Sequence, residues 1–338
     1  WADRPDEARG ALDHALATDP RNAKARTQLD WVNVARTPSL EPTISSTNDS
    51  DDNRSTTYMV RTGWRAPWQA RLLADGSYRV ADLGVRHGTT ASVRAASSFT
   101  PFDGQWTVRG ELGATRLAGS GGPASPVVTH IEPLAAMRLS GRVARGLSLG
   151  AGVSHAAFDE TAPLIQSGVA TTSVDGDADL TLTRRLTFGG SGGWTRLRGG
   201  SGTNSRVAGS GMLRWAARPF VSFAAGVRGF AYEHAAFDGY FAPERYLLAE
   251  ASARLHIGGD VGWALESELG LGNQTITAFD DSHIGRFAQR ANASVLYRPV
   301  PGVEWSLSGG FANVASPTTI SSADYRFYTV AIKGRVRL

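Results

Sequence analysis

The chain has 338 residues, 39 of them glycine, no cysteine, and a formal net charge of +4. Mean hydropathy is −0.21 and no apolar run approaches the roughly eighteen residues that a membrane-crossing helix needs, which excludes helical spans; the lack of cysteine excludes disulfide and thiol chemistry. The bases are almost all arginine, with lysine only at Lys24 and Lys333, and they are scattered among Asp and Glu, which speaks against a nucleic-acid partner.

Residues 1–37 form a segment of their own. Residue 1 is Trp and no signal peptide is visible, so the chain reads as processed or cut from a longer precursor. Pro5 and Asp6 open a helix with Ala8, Ala11, Leu12, Ala15 and Leu16 on one stripe, and Asp19-Pro20 ends it. A second helix starts near Asn22 and turns Ala25, Leu29 and Val32 inward. Positions Ala8, Ala15, Leu16, Asp19-Pro20, Asn22 and Ala25 in EARGALDHALATDPRNAKAR resemble the second helix of a tetratricopeptide repeat running into the first helix of the next. Such repeats are about 34 residues long and bury their faces on stacked neighbours. The resemblance implies the end of a periplasmic repeat array; the alternative is a helical hairpin plugging a barrel mouth.

From Pro38 onward the texture is strand, turn, strand. Short turns are expected at Arg145-Gly146, Arg184-Arg185, Arg218-Pro219, 258–260 and 299–302. Longer polar or glycine-rich connections are expected at 120–125, 159–166, 199–204, 233–245, 273–284 and 315–323. A short helix is possible within 65–82. Faces alternate at period two: Val174, Ala178, Leu180 and Leu182 stand against Asp175, Asp177, Asp179 and Thr183, and Leu265, Leu269 and Leu271 against Glu266 and Glu268. One charged face and one apolar face, with no helix to cover the apolar one, suit a wet lumen and a lipid exterior. Trp64, Trp68, Trp106, Trp194, Trp215, Trp263, Trp305 and Tyr297 fall near strand ends, as interfacial girdles do.

The last twelve residues carry the same alternation to the end of the sequence: Tyr328, Val330, Ile332, Val336 and Leu338 against Thr329, Lys333, Arg335 and Arg337. This resembles the C-terminal strand of bacterial outer-membrane barrels, with Leu338 where an aromatic residue is usual. The fold class expected is all-β: a transmembrane, antiparallel, up-and-down barrel of about sixteen strands over 38–338, preceded by the short α-helical segment. An even strand count puts both termini on one side, taken as periplasmic.

Constellations for catalysis are weak. Ser154-His155 resembles the Ser/His pair of barrel esterases, but neighbours on a strand face opposite ways. Asp280, Asp281 and His283 form a loop cluster like those of outer-membrane aspartyl-type proteases, without a second carboxylate group. Asn48 to Asn53 offers oxygen ligands but lacks the glycine and distal Glu of a calcium loop. Glu266 and Glu268 lie about 7 Å apart along one strand, not across a substrate as in glycosidases. No enzyme, cofactor or metal is expected.

What remains is the lumen. Arg109, Glu111, Arg138, Arg142, Asp177, Arg228, Glu250, Arg254, Glu266, Glu268, Arg290, Lys333 and Arg335 fall on the polar parity and are expected to line it, either as wall-stiffening ion pairs or as a hydrophilic conduit. A helical repeat leading into a barrel of about sixteen strands resembles the outer-membrane exporters of exopolysaccharides of the cellulose and poly-N-acetylglucosamine type. That resemblance implies passive polysaccharide export, fed by a periplasmic repeat scaffold, with outer-membrane lipid and lipopolysaccharide, the polymer, and periplasmic or inner-membrane synthase components as partners. The alternatives are a general porin or structural barrel and, third, an outer-membrane hydrolase.

Overall fold

The computed structural model describes residues 5–66, 70–101, 105–122, 124–200, 202–236, 239–314 and 325–338. Two helices come first, α1 (Pro5–Thr18) and α2 (Ala23–Arg36). The side chain of Asn22 caps α2 by accepting from the Ala25 N–H at 3.0 Å, which satisfies one of the free donors of the first turn. Ala8, Leu12 and Ala25 are buried where the helices pack.

Sixteen antiparallel strands follow: β1 (Ser39–Asp49), β2 (Asn53–Arg65), β3 (Arg71–Leu83), β4 (Arg86–Phe99), β5 (Trp106–Ser120), β6 (Val128–Ala144), β7 (Leu147–Ala157), β8 (Ala170–Thr181), β9 (Leu186–Gly199), β10 (Gly202–Arg218), β11 (Val221–Tyr232), β12 (Arg245–Gly258), β13 (Gly262–Thr277), β14 (His283–Val300), β15 (Val303–Ala312) and β16 (Phe327–Arg337). Each pairs with its sequence neighbours, and β16 closes on β1 with Ser39 opposite Arg337 and Asp49 opposite Phe327. The sheet is a closed barrel without edges. Closure removes the unpaired backbone groups that an open sheet would expose. Sixteen strands leave a wide interior.

The first residue of β1 and the last of β16 lie at one end, with the turns 145–146, 182–185, 219–220, 259–261 and 301–302; we call this the turn end. The opposite, loop end carries 158–169, 278–282 and the described residues 233–236 and 239–244. Three expectations are corrected here. Residues 199–204 are not a long loop but a tight hairpin, with Gly199 opposite Gly202, because the glycines allow the turn at almost no length. Pairing between β13 and β14 persists to Thr277 and His283, so that loop shrinks to 278–282. Within 65–82 the described residues are strand rather than helix from Arg71 onward, and Arg65 pairs with Arg71; Pro67, Trp68 and Gln69 are outside the described residues, as is 315–323.

The outward face is apolar all round. Ile44, Val60, Val93, Leu112, Ile131, Val207, Leu269 and Ile332 each expose half or more of their surface. Trp215, Trp263, Tyr297 and Trp305 ring the turn end of this face, and Phe287, Phe311 and Tyr328 ring the loop end. The helical pair touches the barrel at the turn end. There Val34 packs beside Gly302, and Arg337 Nη1 donates to the Val34 carbonyl at 3.0 Å.

Candidate functional site

The inward face carries the charges, and halfway along the barrel, and at some positions nearer the turn end, they are matched across strands. Arg94 on β4 bonds Asp75 on β3 through Nε at 3.0 Å and lies 3.6 Å from Glu111 on β5. Glu111 also accepts from Arg109. Glu41 on β1 joins Arg335 at 2.7 Å and Lys333 at 3.2 Å on β16. Arg254 and His256 share Glu266 at 3.7 and 3.2 Å.

Two of these contacts skip a strand, and a glycine makes each possible. Arg138 on β6 reaches over β7 to Asp175 and Asp177 on β8; a Cβ at Gly150 would stand 2.7 Å from both the Arg138 guanidinium and the Asp177 carboxylate. Arg290 on β14 reaches over β13 to Glu250 on β12 through Nε at 2.9 Å, while also holding Glu268 at 2.5 Å. A Cβ at Gly270 would meet Glu250 at 2.7 Å. Planar guanidinium forks suit such two-carboxylate bridges. Part of the glycine excess therefore serves the lumen wall rather than the turns.

The loop end of the interior is different, and the sequence reading missed it. Residues 159–166, expected to be an outer loop, fold into the barrel, where 162–167 form a short helix, α3 (Ala162–Ser167). Ala162 and Ile165 bury against Ala81 and Leu117 of β3 and β5, whereas Leu164 and Val169 bury against Leu197, Tyr232 and Tyr240 on the other side. The helix thus crosses the lumen. Gly88 and Gly119 form its seat: a Cβ on either would come within 2.9 Å of Ile165 or 2.6 Å of the Gln166 backbone. Gly168 ends it in the left-handed conformation at φ +59°, with a geometry that a Cβ would disfavour. Arg79 Nη1 latches the loop by donating to the Asp159 carbonyl at 2.8 Å and its carboxylate at 3.1 Å.

A second inward segment completes this layer. Tyr240 and Phe241 of the β11–β12 loop are buried, Asn204 donates to the Tyr240 hydroxyl at 2.9 Å, and Phe230 stacks on Tyr246 with ring centroids 4.8 Å apart. Below it lies a cavity of about 880 Å³, bordered by Asp175, Asp177, Arg206, Arg228, Tyr246 and Arg290 and by the small residues Ser191, Gly193, Ala208 and Ser210.

The other sequence candidates sort as follows. Ser154 borders the cavity, but the His155 ring bonds Thr172 at 2.9 Å, so they make no nucleophile–base pair. Asp49 accepts from the Asp51 and Asn53 N–H groups, both at 2.9 Å, and holds the β1–β2 turn. Asp280 caps the 278–282 turn by accepting from the Ser282 N–H at 3.0 Å; the hydrogen bonds from Ser282 hold its carboxyl below the usual carboxylate range. His283 is bonded to Thr277 at 3.1 Å. Among the described residues, no group of three or more His, Asp or Glu side chains is placed to hold a metal ion.

No protein-family model matches the chain, and no curated protein matches its sequence. Two solved structures are similar in fold. A bacterial polysaccharide outer membrane secretin superposes with a TM-score of 0.66 at 10% identity, over 90% of this chain and 99% of that one. CdiB from Acinetobacter baumannii superposes with a TM-score of 0.58 at 9% identity, over 88% of this chain and 60% of that one. At such identities the likeness establishes the barrel fold.

Proposed function

We propose that the chain is an outer-membrane channel for passive export of an exopolysaccharide, with the helices and turn end in the periplasm and the loop end outside. The observation that carries this reading is the combination of a closed sixteen-strand wall, apolar outward on all strands, with a polar interior, in a shape that matches a polysaccharide outer membrane secretin along nearly the whole of both chains. Only a lipid setting makes so much outward Val, Leu and Ile favourable. The helical pair at the turn end sits where a periplasmic repeat array would deliver polymer. Lumen residues Arg109, Glu111, Arg138, Arg142, Asp177, Arg228, Glu250, Arg254, Glu266, Glu268, Arg290, Lys333 and Arg335 supply donors and acceptors for sugar hydroxyls. In this reading α3 is the constriction that polymer must displace.

A general porin is the second reading, and α3 is also what favours it, because an inward-folded loop sieves small solutes. Purified chain in a planar bilayer separates the two: an exporter is blocked by oligosaccharides, a general porin is not. Hydrolysis of an ester, peptide or glycan lost in Ser154→Ala or His283→Ala overturns both. The membrane setting has its own test. Leu265→Arg should cost about 2–4 kcal/mol of barrel stability in lipid, as charges facing the bilayer midplane do, whereas Glu266→Gln should cost far less.

A further inference from the structure

The lumen charges are balanced halfway along the barrel but only in part at the turn end. Halfway along, each guanidinium named above has its acid: Arg94 has Asp75, Arg138 has Asp175 and Asp177, and Arg290 has Glu250 and Glu268. At the turn end stand Arg71, the first residue of β3, Arg142 near the end of β6, Arg214 near the end of β10, and Arg337, the last of β16. All four share the inward parity, and they are spread around the ring. Among the described residues, Arg71, Arg142 and Arg214 form no ion pair with any acid. Arg71 stands directly opposite Arg65 in the β2–β3 register. Arg65, Arg71 and Arg335 all act electrostatically on Arg337, and Glu41, the acid that acts on it too, is already shared between Arg335 and Lys333. Against this stand Glu304 on β15, already bonded to Arg298 at 2.6 Å, Glu266 on β13, already shared by Arg254 and His256, Asp179, inward on β8, and Asp260 in the 259–261 turn.

Like charges placed opposite one another weaken a sheet. A wall built only for stiffness would set acids between these arginines, as it does farther in. Guanidiniums left in water at the mouth of a low-dielectric ring raise the local concentration of anions and offer paired donors to each carboxylate. We propose that the turn-end mouth is an anion-selective vestibule, and that the polymer this channel takes carries acidic groups along its length. This rests on the export reading and specifies its substrate class.

The test is electrical. Purified chain in a planar bilayer should prefer chloride to potassium in a salt gradient. Oligogalacturonate, a neutral malto-oligosaccharide and a cationic chitosan oligomer of equal length are then compared as blockers. Two or three exposed guanidinium–carboxylate contacts, each modest in water, together make about tenfold, so oligogalacturonate should half-block at roughly a tenth of the neutral oligomer's concentration. That advantage should shrink as salt is raised. It should vanish in Arg71→Gln/Arg142→Gln/Arg214→Gln, with block by the neutral oligomer falling far less than block by oligogalacturonate; the single variant Arg142→Glu should lower the advantage in part. Equal block by the anionic and neutral oligomers, or stronger block by chitosan, overturns the anionic substrate class and leaves export standing. No block by any of the three overturns export and the substrate class together.

Discussion

The two ends of the barrel interior are built on opposite principles. At the turn end most inward side chains are charged, polar or small. At the loop end the inward side chains are Leu117, Leu197, Leu248, Tyr232 and Tyr246, each at most 4% exposed, and the space is filled by α3 and the Tyr240–Phe241 segment. One wall with one alternation therefore carries a hydrophilic conduit and a small apolar core in series. The core needs loop residues to exist, because a sixteen-strand ring is too wide for its own side chains to meet across it.

That difference gives graded expectations for stability, read as guanidinium unfolding midpoints of the folded barrel in micelles. Ile165→Asp removes a fully buried side chain and sets a carboxylate against Ala81 and Leu117, and should cost about 3–5 kcal/mol. The same residue introduced at Ser210, in the wet half, should change stability by less than about 1 kcal/mol. Leu117→Ala should cost about 2–4 kcal/mol. Similar costs at the two ends would erase the distinction.

Arg290→Ala should cost about 1–3 kcal/mol, because it strands Glu250 and Glu268. A double-mutant cycle with Glu250→Gln should recover part of the loss. Arg142→Gln, with no acid to strand, should stay within about 0.5 kcal/mol. Thiol labelling sharpens the geometry of the loop end. Thr161→Cys, at a position 4% exposed, should react slowly with an impermeant reagent, while Asp281→Cys in the 278–282 turn should react quickly from the same side. Fast reaction at both positions would mean that α3 does not rest in the lumen.

The wall was readable in the sequence, and the plug was not. Period-two alternation is local: Val174 to Leu182 announces an outward face without knowledge of any neighbour, and the closing strand announces itself between Phe327 and Leu338. The pairing partners follow because each strand bonds the next. The α3 contact is not local, since Ile165 seats on Gly88 and Gln166 on Gly119 from far along the chain. Its signals were present but ambiguous. Ala162-Pro163-Leu164-Ile165 is an apolar run in a connection expected to be polar, Gly168 marks a helix stop, and Leu117, Leu197 and Leu248 sit on the polar parity near the loop ends of their strands. Each alone fits an ordinary strand residue; only the closed ring brings them to one level. The strand-skipping bridges of Arg138 and Arg290 were hidden for the same reason, since Gly150 and Gly270 read as spacers until the register is known.

An exporter or a porin needs a lumen that is continuous through the barrel, and α3 would restrict it at the loop end. The most direct test of that restriction is single-channel conductance of the purified chain beside a variant in which residues 160–168 are replaced by a short Gly-Ser linker. A small or flickering conductance is expected for the intact chain and a stable, several-fold larger one for the variant. Equal conductance in the two would contradict it.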